Sequence, residues 1–155
     1  MSISDSLYFQ LIDQLNLEYT LSHIYGLKAE IEKDPIVKVV YQKLRDDSSK
    51  HLALISNALK SLGKKVPEPM MMKVLGIDLS TMKKEEISID EVDTALEEME
   101  ASSAALFALV AEDFPDPRFS GFFWAMRDDE KTHLRLLRDV KAYRKGKCSK
   151  EAAVN

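Results

Sequence analysis

The chain has 155 residues, 45% hydrophobic and 31% charged, with a formal net charge of -4. That length and balance suit one domain with a real core, and the small, interleaved charge excludes the basic face of a nucleic-acid-binding domain. Cys148 is the only cysteine, which excludes an internal disulfide or a thiolate metal site and points to a reducing, cytoplasmic setting.

No basic stretch followed by an apolar run opens the chain, so no signal peptide is expected. The longest apolar runs, such as Ala104 to Ala111, are too short to span a membrane. Apolar periodicity predicts four helices, at about 5–33, 35–62, 90–113 and 117–144. The first places Leu11, Leu15, Glu18, Ser22 and Tyr25 on one stripe and leaves His23 off it. Asp34-Pro35 starts the second, with aspartate as cap and proline at the first helical position. Its stripe is Val37, Tyr41, Leu44, Ser48, His51, Ile55 and Ala58, and Gly63 is a plausible stop.

The segment 63–89 holds Pro67, Pro69, Gly76 and the short apolar piece Met70 to Leu75. It is long enough to cross a bundle, with its methionines expected over the bundle end. Ser88 or Asp90 can cap the third helix, whose stripe is Leu96, Glu100, Ser103, Phe107 and Val110. Asp116-Pro117 starts the fourth, with Phe119, Phe123, Met126, Glu130, His133, Leu137 and Val140 facing inward. Residues 145–155 read as a polar tail. The expected fold is all-α: a four-helix bundle of two antiparallel hairpins joined by a long crossover, forming one domain over 1–155 with its core in 5–144.

The chain writes one phrase twice. LRDDSSKHLALI begins at Leu44 and MRDDEKTHLRLL at Met126, an offset of 82 residues that also maps Asp34-Pro35 onto Asp116-Pro117, Glu18 onto Glu100 and Tyr25 onto Phe107. Two such hairpins pack about a pseudo-twofold axis, so equivalent residues face one another. Each helix then carries a polar residue at mid-height on its buried stripe. Buried carboxylates must be paired or bound to metal, and the Glu130-x-x-His133 spacing puts carboxylate and imidazole on one face. Asp47 and Asp129 fall one step off the stripe and read as rim residues paired with Arg45 and Arg127. Glu98 reads as solvated.

On these motifs the chain resembles rubrerythrin-type members of the ferritin-like superfamily across roughly 5–144. Glu18 with Tyr25 seven residues later matches the family's first helix, and Glu97-Glu98-Met99-Glu100 is similar to its third-helix Glu-x-x-Glu. Glu130-Lys131-Thr132-His133 matches the fourth-helix Glu-x-x-His in full. Ser48-Ser49-Lys50-His51 matches the second-helix motif with serine in place of the glutamate. The resemblance implies a metal centre held by Glu18, His51, Glu97, Glu100, Glu130 and His133, with Tyr25 as a redox residue.

It also implies iron, with manganese or zinc as alternatives, and a peroxide- or oxygen-handling oxidoreductase activity. Serine cannot supply a bridging carboxylate, so the second ion should be bound more weakly than the first. The lone cysteine leaves no rubredoxin-like module, so electrons would come from an external donor protein. The other reading is a metal-free or single-metal bundle acting as a structural or interaction module. Tyr8, Phe9, Phe122 and Trp124 add apolar area outside the seam and predict a homodimer. Neither a nucleic acid nor a membrane is expected as partner.

Overall fold

The computed structural model describes residues 4–74, 76–78, 80–83, 85–86 and 90–154. It is an all-α four-helix bundle of α1 (Asp5–Ile31), α2 (Pro35–Ser61), α3 (Asp90–Asp113) and α4 (Ser120–Val154). Ser4 starts α1 by accepting the Leu7 N–H at 3.1 Å. Asp34 starts α2 by accepting the Ile36 and Val37 N–H groups at 2.9 and 3.5 Å, with Pro35 at the first helical position.

Gly63 then stops α2. Its φ of 73° is left-handed, which lets its own N–H reach Lys60 O and that of Lys64 reach Leu59 O, at 3.0 and 2.9 Å. Both exposed carbonyls are thereby satisfied in a Schellman motif. Asp90 is the first residue of α3, and Ser88 lies outside the described residues.

The fourth helix departs from expectation at both ends. Asp116 is held by Arg118, and Phe119 N–H bonds back to Asp116 O at 3.0 Å, so 117–119 form a turn and α4 begins only at Ser120. Phe119 is therefore 47% exposed instead of joining the inward stripe. At the other end, the expected polar tail is helical as far as Val154. Its Lys, Glu and Ala residues are good helix formers. This end is also tied back to the α1–α2 turn: Tyr143 Oη donates to Asp34 at 2.9 Å, Lys147 pairs with Asp34 at 3.2 Å, and Arg144 pairs with Glu32.

The crossover runs along α1 instead of over the bundle end. Met70 N–H bonds to Asn16 Oδ1 at 2.9 Å and Met72 N–H to Thr20 Oγ1 at 3.0 Å, because these two side chains stand on the side of α1 that meets the crossover. A two-residue antiparallel ladder, β1 (Lys73–Val74) with β2 (Ile77–Asp78), turns at Gly76. Met71, Met72 and Met82 pack onto the core.

The core has two apolar layers. One contains Leu21, Ile24, Tyr25, Tyr41, Leu44, Leu96, Met99, Leu137 and their neighbours. The other contains Leu7, Leu11, Leu15, Ile55, Leu59, Phe107, Phe123 and Met126. Each buried leucine contributes about 1.5–3 kcal/mol to the layers. Between them lies a polar layer of Gln14, Glu18, Ser48, His51, Glu100, Ser103, Glu130 and His133, all fully or almost fully buried. Nothing in apolar packing explains that layer. Of the seams between neighbouring helices, α2–α4 is the one where the two backbones approach closely over the shortest stretch. Among the described residues no helix is long and apolar enough to cross a membrane.

Candidate metal centre

Each helix delivers one or two groups to the polar layer. α1 supplies Glu18, α2 His51, α3 Glu100, and α4 both Glu130 and His133. Two sets of three come together, Glu18–His51–Glu130 and Glu100–Glu130–His133; within each, one ligand atom per residue lies within 4.8 Å of the others. Glu130 belongs to both. Tyr25 Oη donates to Glu100 Oε1 at 2.6 Å. Gln14 Nε2 and Ser103 Oγ reach Glu18 Oε1 at 3.4 and 3.3 Å.

Glu97 does not join either set. It pairs with Lys141 and, at 3.7 Å, with Arg138. The i, i+3 spacing from Glu100 carries Glu97 one turn along α3, where α4 presents these cations. His23 is exposed, as its off-stripe position predicts.

Asp47 and Asp129 are not paired with the arginines. Arg45 instead pairs with Asp46 at 3.0 Å and Arg127 with Asp128 at 2.8 Å. The two remaining aspartates cross the α2–α4 seam: Asp129 Oδ2 lies 3.0 Å from His51 Nε2, and Asp47 Oδ2 lies 2.9 Å from His133 Nε2. One signal could have found them. Each stands immediately before Ser48 or Glu130 in the repeated phrase, and a step off the seam can point at the neighbouring helix.

The crossed aspartates fix the chemistry of the rings. A neutral imidazole has one N–H. When Nε2–H goes to the aspartate, Nδ1 is left as a lone pair. His51 Nδ1 faces Glu130 Oε1 at 2.9 Å and Glu18 Oε1 at 3.3 Å. His133 Nδ1 lies 3.4 Å from both Glu100 Oε1 and Glu130 Oε1 and has no hydrogen-bond partner. Glu18 Oε2, Glu100 Oε2 and both Glu130 oxygens are likewise buried without hydrogen-bond partners. Lone pairs this close need a cation between them, either a proton or a metal ion. Aspartate behind histidine behind metal is an arrangement that orients the ring and raises its basicity, so these residues fit a metal ion.

With protons as the only cations the layer is strained electrostatically. Burial, then the charge of Glu130, pushes the Glu18 carboxyl up to about 8. Burial and Glu130 also hold Glu100 well above the usual carboxylate range. Burial would raise Glu130 too, but His51, Glu100 and His133 together keep it below its ordinary value. Burial favours neutral His51, yet the nearby Glu130 and Glu18 carboxylates raise it to about 11. Tyr25 is pushed well up by burial and by Glu100. Family models, curated proteins and solved structures were each compared with the chain, and none matches.

Proposed function

We propose that the chain is a rubrerythrin-like, non-haem metal-binding bundle with places for two divalent ions that share Glu130. The observation that carries this is the pair of buried histidines, each anchored from outside by an aspartate and each presenting Nδ1 to carboxylate oxygens. Glu18 and His51 would complete one place, Glu100 and His133 the other. Mixed carboxylate and imidazole donors suit iron first, with manganese and zinc as the other candidates. Bound iron would supply the electron-transfer chemistry for reducing peroxide or oxygen, fed by an external donor protein.

The chain's own residues prepare that setting. Asp47 and Asp129 hold the ring tautomers, and Tyr25 holds Glu100 through a buried hydrogen bond. The apolar layers on either side keep bulk water away from the carboxylates. Elemental analysis of protein purified without chelators tests the reading, and between one and two ions per chain is expected. A count near zero, unchanged after reconstitution with iron(II), manganese(II) or zinc(II), would refute it. Ser48 and the raised His51 pKa favour a second reading, in which protons fill the layer and the bundle is an interaction module; the same count decides between them. Exposed Phe9 and Phe122 support a homodimer, which sedimentation at micromolar concentration checks.

A further inference from the structure

We infer that the centre takes a small monoanionic carboxylate, of the formate class, at Ser48, where it replaces the side-chain carboxylate that the second hairpin supplies from Glu130. The inference rests on the metal-binding reading above.

Ser48 is fully buried, and its Oγ has no hydrogen-bond partner. It stands one turn before His51 on the same face of α2, as Glu130 stands one turn before His133 on α4. A buried hydroxyl without a partner is costly to leave so. A serine hydroxyl and one formate ion together occupy about the space of a glutamate side chain. Charge points the same way. Two divalent ions would bring one more positive charge than Glu18, Glu100 and Glu130 neutralise. The outer aspartates do not cancel that excess, because Asp47 is paired with Lys43 at 2.8 Å and Asp129 is 56% exposed to water. Ser48 Oγ would donate to one carboxylate oxygen and leave both oxygens' remaining lone pairs for the ions.

The test is equilibrium dialysis of the full chain against manganese(II), in buffer free of carbonate and carboxylates, with and without formate. In the wild type, formate should tighten the second ion by about tenfold. Ser48→Glu should bind two ions unaided and ignore formate. Ser48→Ala, which removes only the hydroxyl, should lose most of the formate response and also serves if the glutamate variant does not fold. A second ion that binds the wild type equally well without formate would overturn the inference and leave the metal reading standing. So would a formate response that persists in Ser48→Glu or is undiminished in Ser48→Ala. Failure of every variant to bind any ion would remove the metal reading and this inference with it.

Discussion

The two halves of the centre descend from one repeated pattern but are braced differently. In the Glu100–His133 half, Tyr25 grips Glu100 at 2.6 Å, and Lys43 steadies the Asp47 that holds His133. In the Glu18–His51 half, the offset of 82 puts Phe107 in place of Tyr25 and Ala125 in place of Lys43. Glu18 makes do with the longer contacts of Gln14 and Ser103, whose counterparts Leu96 and Leu21 are apolar. Phe107 has no hydroxyl to offer and meets His51 in a T-shaped ring contact. The half that keeps its own Glu-x-x-His is thus also the better supported, and the first ion should sit there.

The comparison breaks most completely at the shared residue. Glu130→Ala should remove metal from both halves, lowering affinity by more than the roughly 100-fold that loss of an outer partner costs; elemental analysis after dialysis reads this, with helical content by circular dichroism as the control. Next comes pH. Below about 8 an ion must displace protons from both Glu18 and His51, and between about 8 and 11 one from His51 alone, so affinity for the second ion should rise about a hundredfold per pH unit below 8 and about tenfold per unit above it.

The metal-free protein should respond oppositely. Glu18 is raised from an ordinary 4.5 to about 8, so its contribution to stability is full below 4.5 and lost as pH rises through 8. Melting curves at pH 5 and pH 8, with and without manganese(II), should show the metal-induced gain growing with pH.

Asp47→Asn and Asp129→Asn sharpen the contrast between halves. Each should cost about 10- to 100-fold in affinity, with Asp47→Asn hitting the tighter ion and Asp129→Asn the weaker, as a chelator competition would resolve. The smallest effect belongs to Tyr25→Phe, which leaves Glu100 without its donor and should loosen the tighter ion several-fold, about 1 kcal/mol. Equal effects of this change on both ions would remove the asymmetry.

Much of this was legible because a heptad-like stripe fixes which side chains face inward. Glu18, His51, Glu100, Glu130 and His133 all lie on such stripes, and all are buried in one layer. Asp34 capped its helix as its neighbours foretold. The aspartates next to the stripe were misread because one helix cannot reveal what the adjacent helix presents; only the α2–α4 crossing turns a rim position into a histidine anchor. Glu97 failed for the mirror reason, since spacing along α3 says nothing about Lys141 on α4. The C-terminal segment lacked an apolar stripe, yet ion pairs to Glu32 and Asp34 hold its start, which no local pattern could announce.

The crossed aspartates have a consequence for assembly. Neither hairpin holds a complete set of candidate ligands and their supports: one offers Glu18 and His51 but depends on Glu130 and Asp129, while the other depends on Asp47 and Tyr25. Cutting the crossover would therefore give two fragments that are each incompetent alone and complementary together. Metal added to their mixture would act as a rivet across the α2–α4 seam, so that recombination of the halves would follow metal concentration by mass action.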